Sequence, residues 1–458
     1  ARGKLMEEKI QLKWYEKRQG IKLKDKIKSE QKKKEFLEKQ NLKKNSDFEK
    51  NSQAQKKIHS LKKSKFVKPL ENLFASEKIP EDAKKIIEEF DKVVESTHPL
   101  NSKQKLLLPK QIRSLSHFLT DERGERRLGY MNQTVLLSAY VHYYTWWNLV
   151  RLVRLFSNID KKFFDVKDSS VFLDLGSGPL TVPLALFLSR PELRKKHITF
   201  YCLYISQQAL AFGENIFLSV AARLKCEPWK IVRVKGELGS SVKEKADFVT
   251  SANLFNKLCD DFKNPPDFLA KKCTEQILSY LKLENENARY IIVEPGDPRS
   301  ARLVSLMRGS FMRRGFFPVS PCTHFCDCPM DGKKGGKWCN YAFKTDDAPA
   351  ELKKLSEKSE LPKERAVLSF VAFQKSKDGQ IDGCNCFSDE RPEFISMRIT
   401  SELIKLPGGR SGYYACSEKG LLLIVTTQQL LSGQKIRVLN PQKKLPIDSK
   451  SGAYILEL

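Results

Sequence analysis

The 458-residue sequence contains no run of eighteen apolar residues, and its first residues carry no short apolar core. A helix that crosses a bilayer needs about 20 mostly apolar residues, so no membrane span is expected. A signal peptide needs an apolar core, and a transit peptide is rich in arginine and serine and poor in acids. The beginning of this chain is instead rich in lysine and carries acids. We therefore expect a cytoplasmic protein, with the mitochondrial matrix as the alternative, and the absent first Met leaves the true start open.

Acidic residues are scarce relative to basic ones. The chain has 82 Lys and Arg against 55 Asp and Glu, a net charge of +27. This imbalance points to a polyanionic partner and says nothing about the fold. About half of the excess lies in residues 1–68, a lysine-rich arm of low complexity with little glycine and few aromatics. Such an arm can neutralise RNA phosphates but reads little sequence, and the alternative is a solvated tail.

A short apolar run with a glycine turn organises the remainder of the chain. Residues 171–175 are too short for a helix and are followed by Gly176-Ser177-Gly178, as in a buried parallel strand that ends in a tight turn. Residues 180–188 form the expected helix after it. In doubly wound sheets the ligand lies beyond the carboxyl ends of the strands, so Asp174 and the three turn residues are candidate cofactor contacts.

The alternation of strand and helix continues along the chain. Further strands are predicted at 198–204, 230–235, 246–251 and 289–294, with a closing pair at 315–319 and 366–373. This order predicts an α/β fold, the Rossmann-like class I methyltransferase sheet. The predicted domains are a basic arm (1–68), a helical domain (69–160), a methyltransferase-like domain (161–320 and 366–375), a cysteine-rich insertion (321–365) and a β-rich C-terminal appendage (376–458).

Four cysteines occur within eighteen positions of the insertion: Cys322, Cys326, Cys328 and Cys339. Proline, glycine and lysine between them exclude a core strand or an amphipathic helix. Thiolates at such spacing can converge on zinc or on an iron–sulfur cluster, and spacing alone does not choose between the two. An odd total of eleven cysteines in a chain without secretory features also favours metal or burial over disulfides.

These motifs together resemble a known family, the methyltransferase-like assembly factors of the small ribosomal subunit, which has bacterial and mitochondrial members. The resemblance covers roughly residues 70–430 and rests on four stretches: residues 173–178, residues 293–298 with Arg302, the cysteine cluster, and residues 414–420. It implies a four-iron iron–sulfur (4Fe-4S) cluster held by Cys322, Cys328, Cys339 and Cys416. Cys326 is an extra thiol that could replace Cys328, and Cys386 is a second reserve.

The resemblance implies binding to small-subunit rRNA during ribosome assembly or translation, by a chain that we expect to be a monomer. S-adenosyl-L-methionine is a candidate cofactor, but the third glycine of its usual turn is replaced by Pro179 and Leu180. The second strand also lacks the terminal acid that holds the ribose. Tyr204 and Ser206 stand there and are candidate cofactor contacts, each able to make one hydrogen bond.

Whether the protein is an enzyme stays open at the level of sequence, and no catalytic residue is assigned. An active methyltransferase of rRNA is one alternative, and a zinc-knuckle RNA-binding protein is another. Amino-group methyltransferases carry a catalytic tetrapeptide directly after the fourth strand, where this chain has residues 251–254. For contacts with folded RNA the candidates are Arg151, Arg154, Arg299 and Arg302.

Overall fold

The computed structural model describes residues 67–120, 130–255, 264–333, 336–376, 393–441 and 444–458. Most of the lysine-rich arm, together with Cys259, Cys384 and Cys386, lies outside these ranges. The predictions made for the arm and for the reserve ligand Cys386 therefore stay predictions.

The segment before the glycine turn is mainly helical. Its α-helices are α1 (Glu81–Glu88), α2 (Phe90–Thr97), α3 (Ser102–Thr120), α4 (Thr134–Ala139) and α5 (Trp146–Asn158). A π-helical segment, Tyr140–Thr145, joins α4 to α5, and short 3₁₀ turns lie at Ser76–Lys78, Tyr130–Asn132 and Lys161–Phe164. The helix α5 is buried along nearly its whole length because it packs against the next helix of the chain, which covers the central sheet.

The central sheet has the strand order β4-β3-β2-β5-β6-β9-β7, with β8 paired to β9 at one end. Its strands are β2 (Val171–Leu175), β3 (Thr199–Tyr204), β4 (Lys230–Lys235), β5 (Phe248–Ala252), β6 (Arg289–Pro295), β7 (Phe316–Ser320), β8 (Tyr341–Lys344) and β9 (Arg365–Lys375). The strands from β2 to β6 run parallel, and β9 lies antiparallel between β6 and β7. This is the class I methyltransferase arrangement, so the predicted fold class is confirmed.

Helices cover both faces of the sheet, which explains why β2 is buried at every position. They are α6 (Thr181–Ser189), α7 (Pro191–Arg194), α8 (Gln207–Arg223), α9 (Pro266–Tyr280), α10 (Pro298–Met312) and α11 (Ala350–Lys358). Every residue of α6 is buried, as expected for a helix that is apolar on all sides.

A second sheet contains the C-terminal strands in the order β1-β14-β10-β12-β13-β15, with β11 on β12. Its strands are β1 (Val67–Asn72), β10 (Phe394–Ile399), β11 (Ile404–Lys405), β12 (Ser411–Ser417), β13 (Gly420–Val425), β14 (Gln434–Leu439) and β15 (Tyr454–Glu457), and a 3₁₀ turn lies at Pro407–Gly409. The strand β1 departs from the helical prediction for residues 69–160, because its register with β14 lets it complete the distant sheet. The division into domains itself stays a prediction.

Among the described residues, no helix combines the length and the apolar character that crossing a membrane requires.

Candidate functional site

The first candidate site is the turn that follows β2. Asp174 is fully buried, and its Oδ1 accepts a hydrogen bond of 2.7 Å from the Thr250 hydroxyl on the neighbouring β5. Burial raises the pKa of Asp174 to about 7. Its Oδ2 is buried without a hydrogen-bond partner among the described residues. An unpartnered carboxylate oxygen of this kind can accept a hydrogen bond from a ligand, but it does not define the ligand.

The glycine turn is held by the protein's own backbone. The amides of Gly176 and Ser177 both donate to the carbonyl of Leu203, at 3.0 and 3.1 Å. Gly178 has a left-handed φ of +53°, and an added Cβ would meet no atom within 4 Å, so the backbone leaves room here. A third glycine in the turn would normally allow another part of the backbone to approach closely. Here Gly213 of α8 allows that approach instead, because it lies directly against the Pro179 backbone.

The two candidate ribose contacts lie at the end of β3 and directly before α8. Tyr204 is buried at the end of β3 and lines the cavity above the turn. The Ser206 hydroxyl accepts from the amide of Ala209 at 3.1 Å, as an N-cap of α8, and donates to the carbonyl of Met131 at 3.2 Å. Ser206 therefore ties α8 to the helical segment, and its hydroxyl proton is already used.

The cavity above the turn has a volume of only about 30 Å³. Ligand pockets for molecules of drug size or larger occupy roughly 300–1,000 Å³. Side chains of the N-terminal helical segment fill the space: Met131, Tyr140, Asn148 and Leu152 line the cavity together with the glycine turn. The π-helical segment places Tyr140 in this position. The cavity in this conformation is therefore narrower than the pockets that usually hold ligands of the size of S-adenosyl-L-methionine.

The position of the catalytic tetrapeptide is also closed by hydrogen bonds. Asn253, at a left-handed φ of +53°, accepts from the Arg151 guanidinium at 3.0 Å through its Oδ1. The same nitrogen of Arg151 donates to Asn148 at 2.9 Å, so α5 is connected to the end of β5. On the opposite side, Glu294 accepts from the amides of Leu254 and Phe255, both at 2.9 Å. These contacts fix the strand end where a reacting group would need to stand.

The second candidate site is formed by the four predicted metal ligands. Cys322 and Cys328 lie in the loop after β7, Cys339 lies just before β8, and Cys416 belongs to β12 of the second sheet. Burial raises the pKa of Cys416, and the neighbouring thiols of Cys328, Cys322 and Cys339 raise this pKa further. Burial, then Cys328 and Cys322, raise the pKa of Cys339. The structure therefore brings together the four cysteines that the sequence resemblance selected.

The spacing of these thiols bears on the kind of metal. In the described part of the chain, no three His, Cys, Asp or Glu side chains are close enough together to hold a single metal ion. A tetrahedral zinc requires all four sulfurs about 2.3 Å from one centre. Among the described residues, the cysteine loop therefore offers no ready-made site for a single ion. The extra thiol Cys326 is exposed, unlike the four ligand candidates.

Two further side chains at this site had been missed from the sequence. The buried Arg308 donates from Nε to the Cys322 sulfur at 3.3 Å, and the Nε2 atom of buried His324 lies 3.1 Å from the Cys416 sulfur. His324 stands between Cys322 and Cys326 in the sequence, which was a local signal. Arg308 gave no such signal, because it lies fourteen positions before the first cysteine. A set of thiols with a buried cation beside it fits a bound anionic thiolate cluster.

The second sheet is tied to the cysteine loop by Arg398. Its guanidinium donates to the carbonyls of Pro321 and Gly433, both at 2.9 Å, and pairs with Glu71 of β1. Arg398 lies directly opposite Cys416 in the register of β10 and β12. The cysteine site thus stands at the junction of the two sheets.

Two of the four arginines proposed for RNA contact are used inside the protein, which corrects that prediction. Arg151 joins α5 to the end of β5, as described above. Arg154 is buried, pairs with Asp347 and stacks over the Phe343 ring at 4.7 Å. Both lie on α5, where Arg154 is buried and Arg151 is half-buried. Arg302 is half-buried and reaches the carbonyl of Asp331 at 3.5 Å, whereas Arg299 is exposed.

Comparison with known proteins gives one family. The family model described as mitochondrial small ribosomal subunit Rsm22 matches residues 139–391, more than half of the chain. No curated protein sequence matches.

Solved structures with a similar fold include three methyltransferases. One is a precorrin-6y C5,15-methyltransferase from Geobacter metallireducens, with 11% identity over 47% of this chain and 84% of that chain, and a TM-score of 0.27. Another is a ribosomal protein L11 methylase from Lactobacillus delbrueckii subsp. bulgaricus, with 17% identity over 37% and 70% of the two chains and a TM-score of 0.25. The third, from Geobacter sulfurreducens in complex with S-adenosyl-L-homocysteine, shows 14% identity over 50% and 90% and a TM-score of 0.26. Scores at this level carry no argument about function.

Proposed function

Because the chain belongs to the family described as mitochondrial small ribosomal subunit Rsm22, we propose that it binds small-subunit rRNA in mitochondria as an assembly or translation factor. Its methyltransferase fold then serves as a binding scaffold and not as a catalyst. The expected location is then the mitochondrial matrix instead of the cytoplasm. The chain is expected to act there as a monomer.

The observation that carries the proposal is the closed cofactor cavity. About 30 Å³ remain above the glycine turn, and Arg151 connects Asn148 on α5 to Asn253 at the end of β5. Binding a cofactor there would require the helical segment to leave the sheet. The buried aromatic side chains of α5 and the π-helical segment before it make such a movement costly, since each large buried side chain contributes roughly 1.5–3 kcal/mol.

The four cysteines are proposed to hold a 4Fe-4S cluster. Cys322, Cys328 and Cys339 would hold it from the central fold, and Cys416 from the second sheet. When bound, the cluster would supply a covalent connection between these two parts and a centre able to carry one electron. A zinc site, in which the four sulfurs would close on one centre, is the alternative.

The proposed partner can be tested directly by identifying the RNA that accompanies the full-length chain. After cross-linking in mitochondria and purification under denaturing conditions, we expect small-subunit rRNA to be enriched over large-subunit rRNA. The ratio of the two rRNAs is the measurement, with an uncross-linked sample as the control. Equal recovery of both rRNAs, or of neither, would contradict the proposed partner.

Titration with S-adenosyl-L-methionine is expected to show no saturable binding, because the cavity has no room for it. The expected Kd is weaker than roughly 1 mM, equivalent to about −4 kcal/mol. Isothermal calorimetry measures this, and Asp174→Asn is the matched variant, because binding at the glycine turn should respond to the loss of this carboxylate. Micromolar binding that Asp174→Asn abolishes, together with methyl transfer to rRNA, would establish the alternative, an active rRNA methyltransferase.

A further inference from the structure

One face of the helix α10 lies beneath the cysteine loop. Arg302, Ser305 and Arg308 are spaced three residues apart and therefore share a face. Arg302 contacts the carbonyl of Asp331, and Ser305 lies near the Cys328 thiol. The loop follows this helix so closely that a Cβ at Gly332, whose φ is +68°, would lie 3.1 Å from the Cβ of Arg302. Side chains of α10 therefore approach the cysteine sulfurs from the side of the helix.

Arg308 is the buried charged residue on this face of α10. Its side chain is buried, with 3% of the residue exposed. Its Nε donates to the sulfur of Cys322, and its Nη2 donates to the carbonyl of His324 at 2.9 Å. In the described part of the chain, no Asp or Glu forms an ion pair with it. A guanidinium buried without an anion is strongly destabilising, and both hydrogen-bond partners of Arg308 belong to the cysteine loop, so a bound thiolate cluster would supply the missing negative charge.

His324 contacts the site on its other side. It is 1% exposed, and its Nε2 lies 3.1 Å from the sulfur of Cys416. The hydrogen bond from Arg308 to the His324 carbonyl fixes the backbone that carries this ring. Arg308 therefore acts on two of the four thiols, on Cys322 directly and on Cys416 through the position of His324.

We propose that Arg308 is a positioning residue for the cluster, which offsets the negative charge of the thiolates and directs N–H donors at the sulfurs of Cys322 and Cys416. The inference rests on the proposed cluster. Hydrogen bonds to ligand sulfurs and nearby positive charge raise the reduction potential of an iron–sulfur centre, and loss of such outer contacts commonly lowers metal affinity by about 10- to 100-fold.

The test uses the full-length chain purified without oxygen, as wild type and as the variants Arg308→Met, Arg308→Lys and Arg313→Met. Arg313 lies at the exposed C-terminal end of the same helix and is the matched control. Two quantities are measured: the rate at which a chelator removes iron, and the reduction potential from an optical redox titration. Circular dichroism reports whether each variant is folded.

We expect Arg308→Met to lose iron about 10- to 100-fold faster than wild type and to have a lower reduction potential. Arg308→Lys keeps the charge but cannot reach both the Cys322 sulfur and the His324 carbonyl. Its rate of iron loss and its reduction potential should therefore lie between those of wild type and Arg308→Met. Arg313→Met should behave as wild type. If Arg308→Met does not fold, Arg308→Lys decides, and wild-type values in that variant overturn the inference. Wild-type protein without iron would instead overturn the cluster itself, whereas iron-loaded wild type with an unchanged Arg308→Met overturns this inference alone.

Discussion

Replacing Cys416 by Ser is expected to remove the iron and to loosen the C-terminal sheet. Cys416 is the one proposed ligand that comes from the second sheet, and the other three belong to the central fold. With three thiolates left, iron content should fall from about four atoms per chain toward zero. Metal binding to such a site is part of the free energy of folding, so its loss should make residues 393–458 open more readily.

Iron is measured by metal analysis, and local opening by limited proteolysis. We expect cleavage in residues 393–458 to be about 10-fold faster or more, which corresponds to about 1.4 kcal/mol of local stability. Two serine replacements serve as controls. Cys326→Ser changes an exposed thiol of the same loop, and Cys226→Ser changes a half-buried thiol after α8. Both should keep iron. Full iron content in Cys416→Ser would refute the assignment of this ligand, and loss of iron in Cys326→Ser would favour the reserve ligand.

Deleting residues 1–66 is expected to weaken binding to any RNA while preserving the preference for small-subunit rRNA. The deletion ends just before β1, so the pairing of that strand with β14 is kept. The arm carries about half of the net charge of +27, and each lost phosphate contact should lower the log–log salt slope by about 0.7 to 0.9. If the arm makes six such contacts, the deletion should abolish a roughly thousand-fold fall in affinity between 50 and 200 mM salt.

Binding is measured by fluorescence anisotropy across a salt series, with a small-subunit rRNA fragment and a competitor of equal length. A matched control keeps the arm but exchanges its lysines for glutamine, which removes charge without shortening the chain. Both variants should have the same reduced slope. An unchanged slope after deletion would mean that the arm is a solvated tail, and loss of the rRNA preference would mean that the arm itself carries selectivity.

Sequence alone determined the sheet and its glycine turn. The run at residues 171–175 is buried on both faces in any doubly wound sheet, so its apolar pattern and the following glycines sufficed to place it. The class of the sheet followed from the alternation of strands with helices. Four cysteines could likewise be proposed as ligands before the structure was known, because the residues around each thiol matched the resemblance. All of these are local patterns, which can be recognised in the sequence without the structure.

Only the tertiary structure decided which segments far apart in the sequence contact one another. The sequence showed an aromatic, arginine-bearing helix before the sheet, but not that Arg151 would contact Asn253, about a hundred positions away. It showed no sign that residues 67–72 would pair with a strand near the C-terminus, because an edge strand has the same alternating pattern whichever sheet it joins. Arg308 could not be found either, since a buried arginine and an exposed one have the same local sequence. Long-range packing alone determines which charges are buried and therefore which require a partner, and that packing closed the cofactor cavity and placed a cation beside the thiols.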